Sequence, residues 1–275
     1  MQTNITMARS SGSTTTSGLL QFGAQSWFVI AFVGQLLFTA YVAIYYGGSA
    51  YRGDMEAWNK VFPRGFVSGE NGGNAMVAIH ILLAVLINLG GALQFIPRIR
   101  VIAPRFHRWN GRIYLFSVFF ASLAGLAMVW GRGAVGGLIQ HIGISLNAVL
   151  IMLFAGLTLR YALARDFVTH RRWALRLFMV ASGVWFFRIS IMLWIIVNKG
   201  PAGFDPERFE GPFLYFLSFA NYLIPLLFAE IYLRIKSRGS MLAQRCYGVV
   251  ILVLSVMTLG GVVAATMFMW LPRLT

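Results

Sequence analysis

The sequence has few acids and little charge of any kind. Only 8 of its 275 residues are Asp or Glu, and 11% are charged, whereas an average soluble domain has about 25% charged residues. Too few polar side chains remain to cover a soluble surface, so a soluble globular fold is excluded. The chain also has a single cysteine, Cys246. This excludes an internal disulfide framework and a cysteine-rich metal cluster.

Several common catalytic motifs are missing as well. The sequence contains no glycine-rich phosphate loop and no His-Glu-x-x-His zinc motif. Most of the acids lie in two turn-rich connectors, 47–74 and 198–211, where they have no histidine or serine partner that would suggest a hydrolase. The four histidines are therefore the main candidates for a chemical site.

Long apolar runs dominate the chain, which is 58% hydrophobic. A helix needs about 20 apolar residues to cross the hydrocarbon core of a bilayer. We therefore expect an all-α integral membrane protein with seven transmembrane helices. The runs that meet this length cover 22–46, 75–96, 109–130, 138–163, 173–197, 212–235 and 247–271.

The chain is expected to form one membrane domain, 18–275, behind a short tail. Residues 1–17 are rich in Ser and Thr and have little apolar content, which predicts a disordered tail. The run that follows is too long for the apolar region of a signal peptide, so we expect a retained first span. The histidines define a core at 75–197.

The net charge of +15 is distributed unevenly between alternate connectors. The segments that would face one side of the membrane are strongly basic, and Asp166 and Glu230 are their only acids. This is the positive-inside pattern. It predicts an inner-membrane protein with a cytoplasmic N-terminus and an external C-terminus. The basic residues follow helix ends and form no separate face, so nucleic-acid binding is not expected.

The four histidines, His80, His107, His141 and His170, occupy related positions in an internal repeat. Each copy has a histidine early in one apolar run, a basic connector, and a second histidine at the start of the next run. Both copies would cross the membrane in the same sense, as two parallel repeats. We therefore expect segments 2–5 to form a central four-helix bundle. That bundle would pair His80 with His141 near the outer face and His107 with His170 near the inner face.

This layout predicts haem b, with two haems expected and one as the smaller alternative. The metal ligands would be His80, His107, His141 and His170. Propionates would pair with Arg188 at the outer level and with Arg108, Arg112 and Arg176 at the inner level. Two plainer interpretations remain open: a histidine beside Arg and Trp is a common interfacial anchor, and a deeper histidine can form a helix–helix hydrogen bond.

Three sequence stretches resemble the motifs of a bacterial multi-pass membrane family catalogued as domain of unknown function 2306. They are Gly-Gly-Ala-Leu-Gln-Phe at 90–95, Arg-Phe-His-Arg-Trp-Asn-Gly-Arg-Ile-Tyr at 105–114 and His-Arg-Arg-Trp-Ala-Leu-Arg at 170–176. The resemblance covers about 78–190, and it departs from the family pattern at Ala174, where methionine is usual. The family name implies no activity.

The four-histidine arrangement separately resembles the di-haem transmembrane ascorbate-dependent cytochromes b and the ferric reductases. That resemblance implies an oxidoreductase that transfers electrons across the bilayer from a cytoplasmic or quinol donor to an outer acceptor. The alternative is a haem-free transporter or an accessory subunit that uses the same histidines for proton, substrate or partner contacts. Expected partners are membrane lipid, a quinol, an outer-face electron acceptor or respiratory-complex subunits, and a second copy in a homodimer.

Overall fold

The computed structural model describes residues 16–133 and 136–274. Within these ranges the regular structure is helical, apart from one isolated β-bridge between Asp205 and Glu210. The all-α expectation is therefore confirmed. The predicted tail at 1–17 falls outside the described residues except for Thr16 and Ser17.

The helices follow the apolar runs closely. They are α1 (Gly18–Val42), α2 (Gly48–Tyr51), α3 (Asn71–Leu93), α4 (Pro97–Ile102), α5 (Pro104–Ala127), α6 (Leu138–Leu163), α7 (Phe167–Ala181), α8 (Gly183–Val197), α9 (Pro212–Arg238) and α10 (Met241–Ala265).

Three turns of π-helix interrupt or extend these helices at the same end of the molecule. Ala43–Gly47 joins α1 to α2, Met128–Gly133 extends α5, and Thr266–Trp270 extends α10. A 3-10 helix, Met55–Lys60, lies in the connector before α3, where Trp58 is buried. The connectors at this end thus have short local structure and form no separate domain.

The chain has enough long apolar helices for the expected seven spans. In the described residues, six helical segments meet the length and hydropathy needed to cross a membrane, and α7 and α8 together make a seventh. The α7–α8 span is bent by 49°. Ser182 ends α7 and Gly183 begins α8, and Ser/Gly pairs are common positions for sharp helix kinks.

Helix packing follows chain order around a closed bundle. Helix α1 packs against α10 and α3, α3 against α5, and α5 against α6. Helix α6 packs against α7 and α9, and α8 lies against both α9 and α10. The direct face-to-face packing expected for segments 2 and 4, and for 3 and 5, is therefore replaced mainly by contacts between sequence neighbours. Short connectors favour this result because they keep antiparallel neighbours adjacent.

Small residues bring the first and last spans together. A Cβ added at Gly23 would lie 2.8 Å from the Gly248 carbonyl oxygen, so α1 and α10 touch through their backbones. Helices in lipid associate largely through such close packing. The outer faces of the spans carry exposed large apolar side chains, such as Leu82, Leu146 and Val256, which contact membrane lipid.

We name the two ends of the bundle by their charge. The basic end holds the connectors after α3, α6 and α9, and the loop end holds 52–70 and 198–211. Arginines of the basic end flank the start of α5 and the start of α7. Both candidate inner histidines lie at this end.

Candidate functional site

His107 and His170 occupy equivalent positions in the first turns of α5 and α7. Each is the fourth residue of its helix. The His107 N–H donates to the Ala103 carbonyl at 3.0 Å, and the His170 N–H donates to the Asp166 carbonyl at 2.9 Å. The Asp166 side chain also caps α7 by accepting from the Thr169 N–H at 3.1 Å. The repeat seen in the sequence therefore has a structural counterpart at the basic end.

A tryptophan–arginine pair follows each histidine. The Arg112 guanidinium lies 5.0 Å from the Trp109 ring centroid, and the Arg176 guanidinium lies 4.5 Å from the Trp173 ring centroid. Both are cation–π contacts between residues one helical turn apart. Each arginine is thereby held against its own helix.

The His170 ring has a defined tautomer. Its Nδ1 lies 2.9 Å from the Thr158 carbonyl oxygen on α6. A carbonyl can only accept, so Nδ1 carries the proton and Nε2 keeps its lone pair. His80 has the same arrangement, with Nδ1 at 3.0 Å from the Ala121 carbonyl oxygen on α5. Metal-binding histidines commonly show this pattern.

His107 and His170 line one large cavity of about 1980 Å³ at the basic end. Nδ1 of His107 is buried and has no hydrogen-bond partner among the described residues. The cavity is also strongly cationic. Its lining includes Arg100, Arg108, Arg112, Arg171, Arg172 and Lys236.

The cavity continues as an apolar groove along the bundle. Residues of α8, α9 and α10 line this groove, among them Leu193, Ile224, Leu254 and Met257. The volume exceeds the roughly 300–1,000 Å³ typical of a small-molecule pocket. The cavity is therefore polar and cationic at the basic end, and its remaining length is apolar enough to hold a lipid chain.

His80 and His141 are placed differently from the inner pair. His80 bonds to Ala121 on α5, whereas the His141 ring lies edge-on to Trp130, with centroids 5.9 Å apart. The His80 ring also lies 3.6 Å from the position of a Cβ at Gly125. Trp130 is five residues beyond Gly125, in the π-turn that extends α5, which corresponds to about 7 Å along the axis. The structure thus brings His107 and His170 to one cavity, while His80 and His141 contact α5 at different levels.

Two of the four predicted arginines face other groups. Arg176 is paired with Glu230 through two hydrogen bonds. Nε donates to Oε1, and Nη2 donates to Oε2 at 3.0 Å. Its charge is therefore compensated within the protein, and its assignment to a propionate stays a prediction. The Arg188 guanidinium lies 5.2 Å from the ring centroid of Phe38 on α1. His80 instead contacts α5, through the Ala121 carbonyl. Arg108 and Arg112 line the cavity as expected.

Sequence reasoning missed two polar contacts. Glu230 was a detectable signal, because it is the only acid inside a predicted apolar run. Arg132, which is buried, donates to Asn74 Oδ1 at 2.8 Å and lies 3.4 Å from Glu70. No spacing in the sequence connects Arg132 with α3, since the contact depends on how α5 ends in a π-turn beside that helix.

A metal site built from protein ligands alone finds no support in the described ranges. No three His, Cys, Asp or Glu side chains converge there. A bis-histidyl haem needs only two protein ligands, and the cavity provides two histidines.

The comparisons with known proteins agree with the membrane architecture. Residues 77–206 match a family model described as predicted membrane protein (DUF2306), and this segment includes all four histidines and Arg188. Neither the curated proteins nor the solved structures include a significant match. Through residues 77–206, the chain is similar to the DUF2306 family of predicted membrane proteins.

Proposed function

We propose that this membrane protein is a b-type cytochrome that holds haem between His107 and His170. The observation that carries the proposal is the convergence of both histidines on one cavity, with Nε2 of His170 left free to ligate. The residues present therefore fit the group.

Bound haem would supply one-electron redox chemistry, and the chain would supply ligands, orientation and charge. The Thr158 carbonyl fixes the His170 ring by accepting its Nδ1 proton. Arg108 and Arg112 border the cavity and would neutralise propionates. Trp109 holds the Arg112 guanidinium in place, which reduces the entropy lost on pairing.

The apolar groove between α9 and α10 supports a membrane quinol as the electron partner. A quinol has a polar ring and a long apolar tail, and the cavity joins a polar end to an apolar channel. A second haem between His80 and His141, with electron transfer across the whole bilayer to an outer acceptor, remains a prediction. The different levels of their contacts on α5 give it less support than the inner site has.

We also propose that the basic end is cytoplasmic and that the protein lies in an inner membrane. The basic connectors support this orientation through the positive-inside rule. A reporter fused after Arg238 should be cytoplasmic, and one fused after Thr275 should be external. The reverse labelling pattern would overturn the orientation and leave the haem proposal intact.

The haem proposal is tested on purified full-length protein expressed with a haem precursor. The reduced-minus-oxidised spectrum should show low-spin haem b, at about one haem per chain if only the inner site is filled. Changing His107→Ala or His170→Ala should remove the haem signal. Ser190→Ala, elsewhere in the cavity lining, is the matched control and should retain the haem signal. A content of two haems per chain, with one lost on His80→Ala or His141→Ala, would extend the proposal to the outer pair. A colourless, folded protein would disprove it.

A haem-free transporter is the second candidate, because one span is broken. Three amide side chains from α1, α6 and α9, those of Gln35, Asn147 and Asn221, approach the Ser182–Gly183 break. Gln35 donates to Ser182 Oγ at 2.9 Å, and a Cβ at Gly183 would lie 2.8 Å from Asn221 Oδ1 and 2.9 Å from Asn147 Nδ2. Broken helices with polar surroundings often form substrate sites in transporters. A colourless protein that transports a solute in vesicles would favour this candidate.

A further inference from the structure

Arg188 lies in the membrane-spanning part of α8 without an acidic partner. No ion pair found in the described ranges includes it. Its guanidinium donates a long hydrogen bond of 3.4 Å to the Val184 carbonyl, one turn earlier in the same helix. A cation at membrane depth is costly unless it is paired. Arg188 therefore needs negative charge beyond what these contacts provide.

A group of aromatic rings from two other helical segments contacts this cation through Phe38. The guanidinium lies 5.2 Å from the Phe38 centroid. Phe38 contacts Tyr41 at 6.4 Å and Trp270 at 5.3 Å, and the Tyr41 and Trp270 rings are stacked at 6.2 Å. We call Arg188, Phe38, Tyr41 and Trp270 the Arg188 cluster. It lies where α1, α8 and the π-turn after α10 meet.

Two polar groups of the cluster can donate a hydrogen bond and have no acceptor among the described residues. The Tyr41 hydroxyl and the Trp270 Nε1–H are buried without a partner among the described residues, and their residues are only 2% and 1% exposed. An indole N–H can only donate. The titratable groups that influence Arg188 are Tyr46, Tyr41 and Arg273, none of them an aspartate or a glutamate. The cluster thus has donors and positive charge in excess.

Backbone irregularity marks the same place in two helices. The π-turn Ala43–Gly47 follows Tyr41 in α1, and the π-turn Thr266–Trp270 ends at Trp270. Turns of π-helix inside longer helices occur frequently at functional sites. This observation is independent of the unpaired donors, and both locate the same cluster.

We infer that the Arg188 cluster binds an oxyanion, of the phosphate type, near the loop end of the membrane. A guanidinium forms two parallel hydrogen bonds with an oxyanion, and the Tyr41 hydroxyl and Trp270 Nε1–H would serve its remaining oxygens. The oxyanion is either the headgroup of an acidic lipid or dissolved phosphate. This site is separate from the His107–His170 cavity, so it stands or falls independently of the haem proposal.

The test uses delipidated full-length protein in a neutral detergent. Binding is measured as a rise in the temperature of thermal unfolding. Inorganic phosphate is titrated in one arm, and phosphatidylglycerol in the other. Phosphatidylcholine, whose phosphate is neutralised by its own ammonium group, is the zwitterionic control. We expect one of the two anionic probes to raise the unfolding temperature in a saturable way. Arg188→Gln should weaken that binding at least about tenfold, the effect of losing a charged hydrogen-bond partner. Arg98→Gln, an exposed change at the basic end, should bind as the wild type.

Conservative variants keep the test informative if Arg188→Gln does not fold. Tyr41→Phe removes only the hydroxyl. Trp270→Phe removes the indole N–H together with part of the ring. Each should weaken binding of the active probe several-fold. Saturation by phosphate identifies a dissolved anion, and saturation by phosphatidylglycerol alone identifies a lipid headgroup. The inference is wrong if neither probe exceeds phosphatidylcholine, or if all three variants bind as the wild type does.

Discussion

Arg176 on α7 and Glu230 on α9 form a two-point ion pair that joins the His170-bearing helix to its neighbour. Their side chains are 19% and 28% exposed, so both charges are largely withdrawn from solvent. Arg112 is the counterpart of Arg176 in the repeat, and both have a cation–π contact with a tryptophan. Arg112 borders the cavity, whereas Arg176 is paired with Glu230. The two copies of the repeat therefore have different electrostatic roles.

Breaking this ion pair should destabilise the fold. Glu230→Gln leaves the Arg176 charge without compensation, and we expect a loss of about 3 kcal/mol, in the range for a broken buried pair. Denaturant unfolding in detergent measures it. The double variant Arg176→Met with Glu230→Leu should recover most of the loss, and the exposed Arg234→Gln is the matched control. Equal stability of Glu230→Gln and Arg234→Gln would show that the pair contributes nothing.

Arg112 should tune the proposed haem. A cation beside the haem stabilises the added electron, so Arg112→Gln should lower the midpoint potential by about 60 mV, which corresponds to a tenfold change in the one-electron equilibrium. Redox titration followed by absorbance gives the value. Arg98→Gln, in α4 at the same basic end but outside the cavity lining, should leave the potential unchanged. If the two variants shift it equally, the effect is a general surface-charge effect.

The Asp166 cap should make the stability of α7 depend on pH. Hydrogen bonds from Thr169 hold the pKa of the Asp166 carboxyl below its ordinary value. The cap therefore contributes stability above the unfolded-state pKa of about 4, and this contribution is lost as the pH falls through the lowered folded-state pKa. The difference in unfolding temperature between wild type and Asp166→Ala should shrink from pH 7 to pH 3. Asp166→Asn keeps a capping group without titrating, so its difference from Asp166→Ala should persist at low pH.

Close packing of α1 on α10 can be tested with two glycines. A Cβ at Gly248 would lie 2.8 Å from the Leu19 carbonyl carbon, which is backbone that cannot move easily. Gly248→Ala should therefore destabilise the bundle by about 1–3 kcal/mol, the usual effect of overpacking. At Gly156 on α6 a Cβ would meet nothing within 4 Å. Gly156→Ala should thus be neutral or raise stability by up to about 1 kcal/mol through helix propensity. The opposite order in thermal unfolding would contradict the packing.

The class of fold could be predicted from local sequence because bilayer thickness sets the length of each apolar run. The runs at 138–163 and 212–235 coincide closely with Leu138–Leu163 and Pro212–Arg238. The bend at Ser182 was not expected, since a single Ser-Gly pair within the run 173–197 gives a weak signal. The repeat also placed His107 and His170 in equivalent first turns, because the same motif begins both helices.

By itself, the sequence determined the membrane class, the all-helical architecture and the positions of the four histidines along the spans. These depend on hydropathy, on charge near helix ends and on residue spacing, all of which are properties of short segments. Only the tertiary structure decided that His107 and His170 share a cavity, that His80 and His141 contact α5 at different levels, and that Arg176 pairs with Glu230. Those results depend on the rotation of each helix about its axis and on its choice of neighbours. Both are set by packing between segments far apart in the chain.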